Sequence, residues 1–354
     1  MSNLLYNLIN AMLCGKMIDE DLFGEATEAD WQRCFDMALG QQVLAMMFPA
    51  MTALPKEQRP SFVLWSKWMA YAQSIAEQSA HKRQVVEKIG GWLAGEGLTT
   101  TIVKGFSLAA LYPNPNLREF GDVDIFSGKD YEAVNACFRK HGIEVGKPDG
   151  HHAHIKVDGV SIEHHYAFSN RRVRNGLQGP EAKLQRLAAI GQRGTSIPSI
   201  CFPCSAFTAL HTGWHAYEHF LHEKIQLRHV IDWAVALRQL SEEDAEAVNE
   251  VKDATHWGRF LDTMTAIVLH RLGLPQEWFP EKELAAAEAI TSEQEQRVWN
   301  DIMAAPCTAK GITMTHRRLQ IAQRILLNRW KFNNYASISA EQFVWEEFVG
   351  HVKS

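Results

Sequence analysis

Apolar residues recur at three- and four-residue spacing through the first ninety positions, which is typical of amphipathic helices. Thr27 and Asp30 resemble a capping box, which predicts that a helix begins there and continues through Trp31. The stretch from Ser61 to Leu93 contains no proline and ends among glycines, so it predicts one long helix. The N-terminal region is therefore expected to be helical.

The pattern changes at Thr99. Residues 99–103 are all β-branched, which favours a strand, and residues 122–126 form a second candidate strand. A helix is predicted from Asp130 to His141, followed by a short third strand over residues 143–145.

Two further strands flank Asp158-Gly159, a dipeptide that suits a type I′ hairpin turn. With a two-residue loop, Val157 pairs with Val160 and His154 pairs with Glu163. Because opposed residues share a face, one side of the hairpin should be polar and the other apolar. The polar side consists of His152, His154, Lys156, Ser161, Glu163 and His165.

From Cys204 onward the pattern is helical again, and the tryptophans there are interpreted as core residues. The segment from Arg171 to Pro198 is interpreted as a connector. These elements predict an α+β fold in which a small mixed sheet with flanking helices lies between two helical regions. The predicted boundaries are 1–97 for the N-terminal helical region, 98–198 for the α+β core and 199–354 for the C-terminal helical domain.

Composition narrows the functional classes. The chain has 354 residues, 36 basic against 41 acidic side chains and a formal net charge of −5, which disfavours binding to long nucleic acid through a strong positive field. Six scattered cysteines do not resemble the disulfide framework of a small secreted domain. No stretch of eighteen apolar residues occurs, and no basic leader is evident. We expect a cytoplasmic protein with no membrane partner.

The chemistry is concentrated in two acidic segments. On a strand, Asp122 and Asp124 project to the same face while Val123 and Ile125 face the core. Two close carboxylates are costly unless a cation lies between them, and pairs of divalent ions serve this purpose in phosphoryl transfer. The pair is a candidate magnesium site, and the hairpin brings Glu163 as a third acid.

Here the sequence resembles a known family. It resembles the uncharacterised nucleotidyltransferase family, which has a polymerase-beta-like fold, in the order of its features. These are a strand, Lys104-Gly105, a helix, Arg118, the segment 121–125 and a strand with Glu163-His164. The resemblance covers Val103 to Tyr166 and extends more loosely to Ile225–Trp233.

The resemblance implies transfer of a nucleoside monophosphate from an NTP to an unknown acceptor hydroxyl, with Mg²⁺ or alternatively Mn²⁺ as cofactor. It places Gly105 and Ser107 at the phosphates. Asp122 and Asp124 would bind both ions, and Glu163 would bind the catalytic ion and could also accept the acceptor's proton. Replacing either aspartate by asparagine is expected to abolish transfer and leave the fold intact.

One departure from the superfamily concerns the phosphate turn. Lys104-Gly105 replaces the usual Gly-Ser pair, and the serine follows two residues later. Lys104 could compensate as a point charge and Arg118 as a bidentate fork on the same phosphates. The altered turn keeps open an alternative, a catalytically idle nucleotide-binding or protein-interaction module on the same fold.

The histidines suggest a third hypothesis, a zinc-dependent hydrolase that uses His211 and His215. His219 and His222 follow them on the same helical stripe, but the spacing matches no specific zinc motif. Cys201 and Cys204 form a single Cys-x-x-Cys that is interpreted as incidental. Arg228 and Asp232 are interpreted as an i, i+4 pair. The acceptor is expected to be a small molecule or a protein rather than long nucleic acid.

Overall fold

The computed structural model describes residues 3–15, 20–148, 150–169, 180–190, 193–304 and 314–346. The α-helices span Asn3–Cys14, Glu20–Gly24, Glu28–Gly40, Leu44–Ala53, Phe62–Gly95, Phe106–Ala109, Tyr131–Lys140, Glu181–Ile190, Ser205–His222, Leu227–Leu237, Glu242–Asp253, Gly258–His270, Glu281–Glu288, Ser292–Met303, Met314–Leu327, Arg329–Tyr335 and Ala340–Val344. The strands are β1 (Thr100–Ile102), β2 (Val123–Phe126), β3 (His152–Val157), β4 (Val160–His165), β5 (Arg193–Gly194) and β6 (Ile200–Phe202). Short 3₁₀ turns lie at Lys56–Gln58, Pro115–Leu117, Gly128–Asp130 and Gln276–Trp278.

The helical prediction for the N-terminal region is confirmed. Thr27 and Asp30 form the expected capping box at the start of Glu28–Gly40. The Ser61 hydroxyl accepts the backbone N–H of Leu64, which fixes the start of the long helix Phe62–Gly95.

The six strands form one mixed sheet in the order β3-β4-β2-β1-β6-β5. Strands β3 and β4 form the predicted hairpin, with Val157 opposite Val160 and His154 opposite Glu163. Asp158 and Gly159 both have positive φ, as a type I′ turn requires. Strand β4 runs parallel to β2. The α+β fold class is confirmed.

One face of the sheet packs against the long helix that precedes β1 and against the helix between β2 and β3. Val123 and Ile125 of β2 and Ile162 of β4 share a core with the C-terminal half of Phe62–Gly95 and with Tyr131–Lys140. A larger core joins the N-terminal helices to the C-terminal ones. The side of the sheet that carries Asp124 is thereby turned toward the C-terminal helices.

Two local predictions need correction. Residues 143–145 do not form a strand, because only Val145 makes an isolated bridge to Ile155, and Pro148 lacks the N–H that would continue the pairing. The segment predicted as a connector contains the helix Glu181–Ile190 and strand β5, while its residues 171–179 and 191–192 lie outside the described residues. Strand β6 pairs with β1, so the sheet extends to Phe202.

The C-terminal helices bury most of the tryptophans interpreted as core residues, but Trp330 is only partly buried and Trp345 is 61% exposed. Trp214, Trp233 and Trp257 are each fully buried. Among the helices that the structure describes, none is both long and apolar enough to cross a lipid bilayer.

Candidate active site

A tight turn joins β1 to the short helix Phe106–Ala109. Gly105 adopts φ +59° and ψ −90°, a conformation that residues with a side chain rarely adopt. A Cβ at this position would lie 3.2 Å from the Asp122 carbonyl oxygen and 3.2 Å from the Phe120 ring. Glycine is therefore required both by the backbone conformation and by the close approach of the segment that carries Asp122.

The parallel pairing of β2 and β4 brings the acids together. Asp124 lies directly beside Glu163, at the same level of the sheet and on the same face. Asp122 immediately precedes β2 and is half-buried, whereas Asp124 is fully buried. The structure thus places Asp122, Asp124 and Glu163 together, and we call these three residues the acidic site.

Two cationic side chains contact one oxygen of Asp124. Lys104 Nζ and His165 Nε2 each lie 3.0 Å from Asp124 Oδ1. Asp124 Oδ2 is buried and has no hydrogen-bond partner among the described residues. His165 Nε2 also lies 3.6 Å from Glu163 Oε2. A buried carboxylate oxygen without a partner is a position that a cation would satisfy.

The three carboxylates of the acidic site differ in the direction of their pKa shifts. Burial and the charge of Asp124 raise the pKa of Asp122 to about 6. Burial alone would raise the pKa of Asp124, but Lys104 and His165 hold it well below its usual range. Burial likewise opposes ionisation of Glu163, and the adjacent His165 outweighs it and keeps the pKa of Glu163 below its usual range.

The donor set fits a divalent cation. Ligand atoms from Asp124, Glu163 and His165 all lie within 4.8 Å of one another. Carboxylate oxygens suit Mg²⁺ and Mn²⁺, and an unpartnered Asp124 Oδ2 lies among them. The carboxylates of Asp124 and Glu163 therefore fit a divalent ion, with His165 rather than Asp122 as the third residue whose ligand atom lies within this distance.

The acidic site opens into a cavity of about 590 Å³, which we call the central cavity. The turn and sheet side contributes Lys104, Gly105, Leu108, Arg118, Phe120, Gly121, Asp122, His151, His152 and Glu163. The C-terminal helices contribute Thr212, His215, Glu218, His219, His222, Glu223, Arg228, His229, Asp232 and Ile321. The cavity is large enough for a small-molecule ligand.

Lys104 and Arg118 each form an ion pair with an aspartate in this structure. Arg118 Nε and Nη2 donate to the two carboxylate oxygens of Asp232 at 2.7 and 2.6 Å, and Nη1 donates to the Gly105 carbonyl oxygen at 3.3 Å. The Arg118 guanidinium, which was predicted to bind phosphate, thus binds the Asp232 carboxylate. Arg228 does not form the predicted pair with Asp232, because Arg118 occupies both carboxylate oxygens.

Arg228 is the cavity-lining arginine without an ion pair among the described residues. Its Nη1 donates to the Glu119 carbonyl oxygen at 2.9 Å, and its Nε is buried without a hydrogen-bond partner in the part of the chain that the structure describes. Burial lowers the pKa of Arg228, and the nearby charge of Arg118 lowers it further. A desolvated guanidinium with donors to spare is a binding group for an anion.

Ser107 is placed differently from the other predicted phosphate-binding residues. It is 5% exposed, and it is not among the residues that line the central cavity. Its Oγ has no partner among the described residues. The turn therefore offers Gly105, rather than the Ser107 side chain, to a ligand in the central cavity.

The histidine stripe also differs from its prediction. His215, His219 and His229 cluster, whereas His211 contacts the Val103 carbonyl oxygen through Nδ1 at 3.3 Å. His229 Nδ1 accepts the Gln226 backbone N–H, so a neutral ring carries its proton on Nε2 and has no free lone pair for a metal. This tautomer disfavours the zinc site. Cys204 caps the helix Ser205–His222 by accepting the Phe207 N–H, which gives it a structural role.

Two site residues were missed by the sequence argument. The hairpin register placed His165 on the face of Glu163, but its contact with Asp124 depends on the β2–β4 pairing, which local sequence did not reveal. Arg228 was recognised only as a partner of Asp232. Asp232 pairs instead with Arg118, which lies 114 positions away in the chain, so local sequence does not reveal this pairing.

Comparison with known proteins gives one match. A family model described as uncharacterised nucleotidyltransferase matches residues 27–273, which is more than half of the chain. No curated protein and no solved structure matches the chain.

Proposed function

The chain belongs to the uncharacterised nucleotidyltransferase family, and we propose that it transfers a nucleoside monophosphate from an NTP to an acceptor hydroxyl in the central cavity. The observation that carries the proposal is the convergence of Asp122, Asp124 and Glu163 beside the Gly105 turn. Three desolvated carboxylates at one point are the ligand set for divalent cations in phosphoryl-transfer chemistry.

The acidic site would hold the metal ions. Bound Mg²⁺, or alternatively Mn²⁺, would supply charge neutralisation at the transferred phosphate and acidify the acceptor hydroxyl. Asp122 and Asp124 would bind both ions, and Glu163 would bind the one nearest the acceptor. Glu163 would also receive the proton that the acceptor hydroxyl loses when its oxygen bonds to the α-phosphorus and pyrophosphate leaves.

The phosphates would lie between the turn and the C-terminal helices. Gly105 lets the backbone approach them closely, and Arg228 provides an unpaired guanidinium on the opposite wall. Lys104 would stay near Asp124 and balance its charge. Arg118 would support the turn by holding the Gly105 carbonyl oxygen.

The acceptor wall favours a compact ligand. Glu218 and Glu223 line the central cavity together with several neutral histidines. Burial lowers the pKa of both His215 and His219, which keeps these rings uncharged. Because Glu218 and Glu223 line this wall and the net charge is −5, a small molecule or a protein side chain suits the cavity better than long nucleic acid. A cytoplasmic location remains part of the proposal.

A second candidate is a catalytically idle nucleotide-binding or interaction module. The observation that favours it is the double contact of Lys104 and His165 with Asp124 Oδ1, because internal cations can balance the acids without metal. The unpartnered Asp124 Oδ2 favours the enzyme instead.

Calorimetry of NTP binding, with and without Mg²⁺, tests the proposal. We expect binding that requires Mg²⁺ and is lost in Asp122→Asn, whose side chain is half-buried and not ion-paired within the described residues. Glu163→Gln should keep NTP binding and lose transfer, measured with α-labelled NTP against a pool of candidate acceptors. A folded native protein that binds no NTP would support the interaction module instead.

A further inference from the structure

His165 and His164 are adjacent on β4 but differ in their hydrogen-bond partners. His164 lies on the other face of the sheet, where Nδ1 contacts Asn135 Oδ1 at 2.7 Å and Nε2 contacts Ser127 Oγ at 3.0 Å. Both of its nitrogens are thus used within the protein. In His165 only Nδ1 has a neutral partner, a backbone carbonyl, whereas Nε2 contacts the carboxylates of Asp124 and Glu163.

The remaining nitrogen of His165 faces the acidic site. Its Nδ1 lies 3.2 Å from the Ala167 carbonyl oxygen, and because a carbonyl can only accept, Nδ1 must carry a proton. Nε2 lies beside Asp124 and Glu163 and donates its proton to them when the ring is charged. A divalent ion that displaces this proton would bind the Nε2 lone pair in the same place. An Nδ1–H donated to a backbone carbonyl is the arrangement that orients histidine ligands in metalloproteins.

The distances suit a shared ion. Two ligands at right angles in an octahedron with metal–ligand distances near 2.1 Å lie about 3.0 Å apart. His165 Nε2 lies 3.0 Å from Asp124 Oδ1 and 3.6 Å from Glu163 Oε2. His165 is only 3% exposed, so its position is fixed by packing rather than by solvent.

A further observation points to an ion at this place. Asp124 is fully buried, yet its Oδ2 has no hydrogen-bond partner among the described residues. The charge of Lys104 is directed at the other oxygen, Oδ1. A cation among Asp124, Glu163 and His165 would satisfy an oxygen that the described protein groups leave unpaired.

We propose that His165 Nε2 is a direct ligand of the divalent ion at the acidic site, beside Asp124 and Glu163, and that the site therefore prefers a first-row transition ion to Mg²⁺. Mg²⁺ favours oxygen ligands, whereas an imidazole nitrogen suits first-row ions of greater affinity for nitrogen. The inference rests on the proposed function only for locating the ion, since metal binding is measurable without any NTP or acceptor.

The test uses Mn²⁺ as a spectroscopic probe on the full chain without nucleotide. Electron spin echo envelope modulation detects an imidazole nitrogen bound directly to Mn²⁺. We expect ¹⁴N coupling in the native protein, its loss in His165→Gln and its retention in the control His154→Gln. His154 is the matched control because it lies on the same polar face, 3.9 Å from Glu163 Oε1, yet its side chain is 60% exposed.

Competition between Mn²⁺ and Mg²⁺, followed by the signal of free Mn²⁺, gives the second readout. Removing even a supporting residue of a metal ligand typically costs about tenfold to a hundredfold in affinity, so His165→Gln should weaken Mn²⁺ binding at least tenfold and Mg²⁺ binding less. Circular dichroism confirms folding of the variant.

Each outcome decides the assignment. Mn²⁺ bound without nitrogen coupling in the native protein would overturn it and leave an oxygen-only metal site, with the proposed transfer reaction unaffected. Coupling that persists in His165→Gln and disappears in His152→Gln would move the ligand to His152. If His165→Gln does not fold, nitrogen coupling that persists in His151→Gln, His152→Gln and His154→Gln still supports His165, and its loss in one of them assigns the ligand to that histidine. Failure to bind any divalent ion would overturn both this inference and the metal-dependent reaction.

Discussion

Asp122 and Asp124 are two residues apart in the chain but differ sharply in environment. Asp124 is fully buried between Lys104 and His165, whereas Asp122 is half-buried and is opposed chiefly by other carboxylates. Removing one partner of a buried ion pair leaves the other charge uncompensated, which costs about 3–5 kcal/mol. Substitution at the two positions should therefore have unequal effects on stability.

Asp124→Asn should lose transfer activity and also destabilise the fold by about 3–5 kcal/mol, contrary to the expectation from sequence that the fold stays intact. Asp122→Asn should lose activity while changing the free energy of unfolding by less than about 1 kcal/mol, because it removes repulsion from Asp124 and Glu163. Urea unfolding of both variants measures the contrast. Equal free energies of unfolding for the two variants would show that the charges of Lys104 and His165 do not need a carboxylate at position 124.

Arg228 is the residue whose role in nucleotide binding is most directly testable. If its guanidinium holds a phosphate, Arg228→Ala should raise the Kd for NTP roughly tenfold to a hundredfold, because a charge-assisted hydrogen bond contributes about 1.5–3 kcal/mol. Arg83→Ala is the control, since Arg83 is exposed and lines a different cavity. Titration calorimetry with Mg²⁺ present gives both constants. An unchanged Kd for Arg228→Ala would assign phosphate binding to other groups.

At the scale of elements, the Gly105 turn and the β2–β4 pairing set the site. The turn brings β1 against the residue that precedes β2, and the pairing aligns Asp124 with Glu163. A shift of β4 by one residue would move Glu163 to the opposite face, because side chains alternate along a strand. The chemistry therefore depends on register as much as on residue identity.

Gly105→Ala should destabilise the protein by about 1–3 kcal/mol, because the side chain would be held at a positive φ and meet the Asp122 carbonyl oxygen and the Phe120 ring. NTP affinity should fall in parallel, since the displaced segment carries Asp122. The control is Gly91→Ala in the long helix, where a Cβ meets nothing within 4 Å and should stabilise by about 0.5–1 kcal/mol. Thermal unfolding that ranks the two variants the other way would contradict the strained turn.

Elements with local signals could be predicted from the sequence. The hairpin register followed from the Asp158-Gly159 turn, and the strand with Asp124 followed from alternation. Strands β5 and β6 could not, because each is only two or three residues long. Strand β5 pairs only with the nearby β6, and β6 joins the sheet through β1, far earlier in the chain. The same limit applied to Arg118 and Asp232, whose pairing joins distant segments and displaced the local i, i+4 interpretation.

At the scale of the whole molecule, one buried ion pair connects the nucleotidyltransferase sheet to the C-terminal helices. Arg118 precedes β2, and Asp232 lies on the helix Leu227–Leu237. Tyr112 donates to the same carboxylate at 2.5 Å, and Arg118 also holds the Gly105 carbonyl oxygen. The family match extends to residue 273 and so includes this helix, which is consistent with one functional unit. The domain boundaries themselves remain predictions.

Asp232→Asn should destabilise the protein by about 3–5 kcal/mol at neutral pH, because Arg118 would stay buried without its counter-ion. Burial alone would raise the pKa of Asp232, but Arg118 outweighs it and holds the pKa below its usual range. A depressed folded-state pKa stabilises above the unfolded value near 3.9, and that contribution is lost as the pH falls through the folded value. The stability advantage of the native protein over Asp232→Asn should therefore be constant from about pH 5 to 8 and shrink below about pH 4.

Urea unfolding across that range measures the advantage, and the double variant Arg118→Met/Asp232→Asn separates its causes. Removing the buried guanidinium as well should recover part of the lost stability, because the penalty of Asp232→Asn comes mainly from an unpaired charge. In the double variant the Gly105 carbonyl oxygen would also lose its donor, Arg118, so NTP affinity should fall below that of the native protein while part of the stability returns. If the double variant recovers stability and binds NTP as tightly as the native protein, Arg118 supports the fold without positioning the turn.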